Sequence, residues 1–358
     1  MIRLAMSRYI GISVLIFFVF TQDEIRGQEW RWQSRLDFAW IHDDNVFESL
    51  TGTFHDHTGR ILGDISGRGE FLKNMTVSLR YQGGLEGYTQ YHAENRMVND
   101  AKAIVEIPLG RSLSFGVSLG GRAKTFLQTI RGYRFLQTSP FVHWTLPYDL
   151  RGSFFYSYSF LDYREGYYFD TRYQNGGVSV EYTPLPEVSL GIRWTMGVFR
   201  FDRHNYSFIL VDSTYEWIDL GEQQKDHFHE ISTQLEIYKW ALVRLGFSYQ
   251  KNESNGYGYG YSCPEIRLIV AKNLPWNLTL RFFWTFRWKR YSDTLQPLLQ
   301  VRPDSESEES SFTVVDISKD LMKNCSIRIR GGWYRNESPF RGRYYKKNLL
   351  SIGFTQRF

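Results

Sequence analysis

Residues 278–289 alternate at every position but one, Phe283. Leu278, Leu280, Phe282, Trp284, Phe286 and Trp288 fall on one parity, and Thr279, Arg281, Thr285, Arg287 and Lys289 fall on the other. A period of two belongs to a β-strand, whose successive side chains point to opposite faces. Sliding the strand by one residue would turn three cations onto the apolar face, so its register is strongly specified. The pattern recurs along the chain. Trp30, Trp32, Leu36, Phe38 and Trp40 oppose Arg31, Gln33, Arg35 and Asp37. Val188, Leu190, Ile192, Trp194 and Met196 oppose Ser189, Gly191, Arg193 and Thr195, and the stretches from Met75, Leu113, Leu150 and Ala241 behave alike. At the end of the sequence Leu350, Ile352, Phe354 and Phe358 oppose Ser351, Gly353, Thr355 and Arg357.

A strand that closes on a terminal Phe resembles the last strand of bacterial outer-membrane β-barrels. The resemblance implies a transmembrane barrel in the outer membrane, with Leu350, Ile352, Phe354 and Phe358 read by the barrel assembly machinery. Composition agrees with that expectation. Mean hydropathy is −0.40, yet transmembrane strands alternate and average out in a sliding window. Aromatic residues make up 17% of the chain, as interfacial girdles demand. A secreted β-sandwich or propeller would also alternate, but it gives no reason for tryptophan and tyrosine at both ends of the stripes, and no blade-length repeat is present.

The N-terminal 27 residues read as a secretory signal. Arg3 and Arg8 precede an apolar core from Tyr9 to Phe20 that is short for a transmembrane helix, and Gly27 is the expected cleavage point. Residues 28–358 read as one all-β, up-and-down antiparallel barrel. Short connections are expected near Leu72–Asn74, Pro108–Ser112, Pro147–Asp149, Pro184–Glu187, Tyr238–Lys239, Lys272–Trp276 and Ser318–Asn324, where proline, asparagine and aspartate favour turns. Long ones are expected near His42–Gly59, Gln82–Gln90, Gln128–Gly132, Asp162–Gln174, Arg203–Gln224, Lys251–Gly258, Ser292–Glu309 and Asn336–Gly342. This division gives about sixteen strands, with both termini on the short-turn side. Fourteen and eighteen stay open, because Val178–Tyr182, Ile231–Ile237 and Phe312–Ile317 alternate poorly. Cys263 falls on the lumen parity and Cys325 on the lipid parity, so no disulfide is expected.

If the apolar faces meet lipid, the opposite faces line a lumen. Arg35, Arg80, Arg122, Arg193, Arg244, Arg267, Arg281, Arg287, Lys289, Arg328 and Arg330 fall there, with Arg31, Arg60, Arg68, Arg96, Lys102, Lys124, Arg151 and Arg357. The anions on the same parity are Asp37, Asp64, Glu70, Asp100, Glu106, Glu181, Glu230, Glu236, Glu265 and Asp316. The excess is roughly nine positive charges, and a positive low-dielectric channel concentrates anions. The competing expectation is that these charges pair across strands and only hold the wall together.

Chemistry beyond a pore has few candidates. Asn252-Glu253-Ser254-Asn255-Gly256 resembles the His-x-Ser-Asn-Gly segment of outer-membrane phospholipase A, but Asn252 stands where the general base would be. No constellation matches the omptin proteases, which are also barrels. His227 with His229, and His55 with His57, supply too few ligands for a metal by themselves. Asp43-Asp44-Asn45-Val46-Phe47 offers oxygen ligands for Ca²⁺ but reads better as a turn. That Asp-Asn-Val-Phe segment after the first strand resembles a group of uncharacterised bacterial β-barrel porins, some encoded with exopolysaccharide synthesis and export genes. The resemblance transfers no catalytic residue, metal or cofactor. The expectation is a non-enzymatic outer-membrane channel for small anionic or polar solutes, in contact with lipid and lipopolysaccharide and not with nucleic acid. A plugged barrel serving exopolysaccharide export or surface structure is the second expectation, and a barrel-rim enzyme the third.

Overall fold

The computed structural model describes residues 30–47, 54–71, 74–129, 132–163, 170–211, 214–292, 311–336 and 345–358. The expected signal segment lies outside them. The strands in chain order are β1 (Arg31–Asp43), β2 (Asp56–Glu70), β3 (Thr76–Tyr88), β4 (Arg96–Pro108), β5 (Leu113–Phe126), β6 (Gly132–Leu146), β7 (Leu150–Tyr163) and β8 (Thr171–Leu185). Then follow β9 (Val188–Val211), β10 (Thr214–Tyr238), β11 (Leu242–Ser254) and β12 (Tyr261–Leu274). The last four are β13 (Leu278–Arg287, continued by Arg290–Tyr291), β14 (Ser311–Met322), β15 (Cys325–Asn336) and β16 (Tyr345–Arg357). Each pairs antiparallel with its sequence neighbours, and β16 pairs with β1 from Arg35↔Arg357 to Asp43↔Leu349. The Phe358 N–H donates to the Ser34 carbonyl at 2.9 Å, so the closing seam runs to the final residue. Sixteen strands make a closed cylinder, and closure leaves no unpaired edge, which a strand protein in lipid requires.

The three poorly alternating stretches are strand throughout, inside β8, β10 and β14. On the outer surface the alternation holds: Phe38, Trp40, Phe154, Ile192, Trp194, Phe247, Ile329 and Phe354 are all exposed. The lower ends of the barrel are tied by tight turns. Tyr148 and Asp149, and likewise Trp276 and Asn277, take paired positive φ values. Each pair lies in a three-residue connection, Pro147–Asp149 between the paired Leu146 and Leu150, and Pro275–Asn277 between the paired Leu274 and Leu278. Tyr148, Trp240 and Trp276 in these turns are highly exposed aromatics, placed where a membrane–water interface belongs.

Several of the long connections are shorter than the sequence suggests, because strands run past the apolar belt with polar side chains; those expected at Ser292–Glu309 and Asn336–Gly342 lie almost wholly outside the described residues. β3 continues through Gln82 to Tyr88, and β11 through Lys251 to Ser254. The largest departure is Arg203–Gln224, expected as a loop. It forms the distal arms of the β9–β10 hairpin, paired up to Val211↔Thr214 with irregularities between Asp219 and Lys225. At its base the Arg203 guanidinium donates to Gln224 at 2.7 Å and lies over the rings of Phe201 and Tyr259, and the Asn205 amide donates to the Asn255 carbonyl. The hairpin is thus braced against the 255–260 connection. Further out, Asp219 accepts from His204 at 2.7 Å and from the Gly221 N–H, which together hold its carboxyl below the usual range.

Candidate functional site: the lumenal wall

Opposed residues in an antiparallel pair share a face, so the register carries each lumen position round the barrel. It brings arginines beside carboxylates on adjacent strands. Asp64 of β2 lies 2.6 Å from Arg80 of β3 and 3.7 Å from Arg35 of β1, and Arg35 also contacts Asp37 at 2.9 Å. Arg122 meets Asp100 at 2.8 Å, Arg244 meets Glu236 at 2.6 Å, and Arg96 meets Glu86 at 2.6 Å. Arg193 lies over the Phe155 ring at 6.0 Å, and the Lys289 ammonium lies over Tyr261 and Tyr291.

The densest group spans β12 to β15. Glu265 on β12, 4% exposed, pairs with Arg267 on its own strand at 2.6 Å and with Arg287 on β13. Asp316 on β14, with no exposed surface, receives Arg281 of β13 at 3.4 Å and Arg328 and Arg330 of β15 at 3.8 and 3.1 Å. Five guanidinium groups therefore share two carboxylates, and the remaining charge faces the lumen.

Across the barrel the wall carries few charges, Arg151 standing opposite Glu181 near one end. Ser153 and Ser179, Ser139 and Ser157, and Gln137 and Ser157 hydrogen-bond between β6, β7 and β8 at 2.6 to 2.7 Å. Phenyl rings lie between them at places where a neighbouring strand has glycine. A Cβ on Gly116 would come within 2.2 Å of the Phe141 ring, and one on Gly177 within 2.7 Å of Phe155. Each ring thus lies close against the wall and leaves the lumen wide. A cavity of about 650 Å³ adjoins these walls, bordered by Ser179, Arg193, Ser232, Gln234, Arg244 and Arg267 among others.

The candidates for other chemistry do not converge. The Ser254 hydroxyl donates to Asp226 at 2.6 Å and accepts from the Gly256 N–H; Asn252 donates to the same carboxylate. Asp226 is thereby a bracing acceptor at the rim. His227 and His229 are exposed on the outer surface of β10, opposite Glu253 and Lys251. Asp56 and His57 face opposite sides of β2. Asp56 accepts from Thr89 and from the Gln90 and Tyr91 N–H groups, whereas His57 stacks on Trp40 at 4.7 Å. Asp43 accepts from the Asn45 N–H and Asp44 from Asn348, so that segment is a turn fastened to β16. Among the described residues no group of three metal-ligating side chains forms. Cys263 and Cys325 are both buried thiols and are not joined in a disulfide.

Sequence reasoning missed several acids on the lumen parity: Asp43, Asp56, Glu86, Asp226 and Asp320. They lie at the polar ends of strands, Asp43, Asp56, Glu86 and Asp320 inside expected connections and Asp226 just beyond one. Lys347, paired with Asp43 at 3.0 Å, and Arg203 share the lumen parity, so together these residues reduce the expected positive surplus by about a third.

No protein-family model matches the chain, and no curated protein matches it. Solved structures do resemble it. OccAB1 of Acinetobacter baumannii is 14% identical over 94% of this chain and 99% of its own, with a TM-score of 0.51. CdiB from Acinetobacter baumannii is 9% identical over 90% of this chain and 60% of its own, at 0.49. An OmpT loop-deletion variant from Vibrio cholerae is 10% identical over 92% of this chain and 99% of its own, at 0.46. Identities this low speak for the fold alone. That fold, a closed sixteen-strand antiparallel cylinder with an apolar exterior and an ion-paired interior, is the one found in bacterial outer-membrane β-barrel proteins.

Proposed function

We propose that the protein resides in the bacterial outer membrane as a channel for small polar solutes and prefers anions. The single observation behind the preference is the five-arginine, two-carboxylate group on β12 to β15. At physiological salt the Debye length is about 8 Å, so charge on the wall of a pore of this size is felt by a permeating ion. Sixteen strands also enclose more volume than side chains alone fill.

The pairing of most lumen arginines favours a second reading, a barrel whose charges only knit the wall and which serves surface structure or exopolysaccharide export without conducting. Reversal potential in a KCl gradient separates the two. The triple variant Arg281→Gln, Arg287→Gln, Arg328→Gln leaves one arginine for each carboxylate, Arg330 on Asp316 and Arg267 on Glu265. It therefore removes the surplus without stranding a buried acid. Chloride preference in the wild type and its loss in the triple variant are the expected results. Preference for K⁺, or an unchanged potential in the variant, contradicts the anion reading.

A further inference from the structure

The outer surface of β8 to β10 ends in a row of cations that the lumen does not use. Arg172 of β8 stands directly opposite Arg200 of β9, and Arg200 directly opposite Lys225 of β10. Phe160 of β7 opposes Arg172 on the same face, and Trp194 and Met196 lie below Arg200 on the exposed apolar belt. All three cations are exposed, and none is ion-paired to a carboxylate among the described residues. Like charges set directly opposite destabilise a sheet. From Val188 to Arg200 the strand climbs about 30 Å, given about 3.3 Å per residue and a tilt of about 40°. That is about the thickness of a hydrocarbon core, so the row lies where acyl chains give way to headgroups.

The nearby acids do not cancel this row. Asp170 and Asp202 occupy the next outward positions, further from the membrane, with Asp162 near them. Burial and these two neighbours push the Asp170 carboxyl up, so the three repel one another. On β11, Lys251 is already paired with Glu253. The exposed His227 and His229 extend the basic face on β10.

We propose that Arg172, Arg200 and Lys225 bind the phosphate group of a phosphorylated outer-leaflet lipid whose acyl chains lie on Phe160, Trp194 and Met196. This rests on the outer-membrane placement and is independent of whether the lumen conducts. The test is native mass spectrometry of the purified full-length barrel in detergent, incubated with bisphosphorylated lipid A or with its dephosphorylated form. Folding is checked separately by the heat-dependent shift in gel mobility, so a failure of the barrel reading shows there first. The wild type should retain at least about ten-fold more of the phosphorylated lipid, since the dephosphorylated form lacks the anion that the three cations would contact. The variant Arg172→Gln, Arg200→Gln, Lys225→Gln should fall to the dephosphorylated level, and Arg172→Lys with Arg200→Lys should keep most of the retention. Equal retention of the two lipids by the wild type overturns the proposal without recourse to any variant. Unchanged retention by a folded glutamine variant overturns it as well. Displacement of the lipid by millimolar inorganic phosphate would show a small-anion site and overturn the lipid as its occupant.

Discussion

The cost of a charge in this protein depends on which of two faces its Cα presents. Trp194 on β9 points outward near mid-strand and is exposed to the surroundings of the barrel. Gln234 on the neighbouring strand points inward between Gly191 and Gly246, with open space before it. Trp194→Arg places a cation in the apolar belt at a cost of about 2–4 kcal/mol, whereas Gln234→Arg adds one more arginine to a wet wall. Folding yield, read as the fraction of heat-shifting protein in outer membranes, should fall sharply for the first and little for the second; equal losses would show that the faces are wrongly assigned. Parity alone does not choose such sites well. Thr285 has lumen parity too, yet it is 1% exposed and its hydroxyl is buried without a partner. An arginine there would meet packed neighbours, a fact that emerges only from register and packing.

At the scale of strands, the alternating stretches were legible because each carries its own apolar face, as in Leu278–Trp288 or Leu350–Phe358. Strand ends were less so. Glu86 and Asp56 continue their strands beyond the apolar belt, and a carboxylate at a strand end reads like the start of a loop. The β9–β10 arms were missed for the same reason, since Arg203 bonds to Gln224 and the Asn205 amide N–H to the Asn255 carbonyl, pairings that the sequence does not display. The aromatic–glycine contacts, such as Phe141 on Gly116, were invisible because they depend on register between strands. The closing strand makes a prediction at this scale. Phe358 hydrogen-bonds with Ser34 at the foot of the β1–β16 seam, so losing it loosens the closure of the barrel at that end. Deleting it, or Phe358→Asp, should leave unfolded protein in the periplasm. Outer-membrane levels equal to wild type would remove Phe358 from any role in assembly.

For the whole molecule, the sequence supported a closed barrel with a charged interior, and the structure supplies the distribution of that charge. It is uneven: arginines crowd β12 to β15, while hydroxyl and phenyl groups line β6 to β8. One basic and one largely uncharged wall accord with the anion preference proposed above, and conduction is the central claim of that proposal. Planar lipid bilayers containing purified, heat-modifiable protein test that claim most directly. Discrete ohmic conductance steps in KCl are the expected result. A bilayer that stays silent, although the same sample shows the folded barrel's heat-dependent mobility shift, would contradict the channel and favour a barrel that does not conduct.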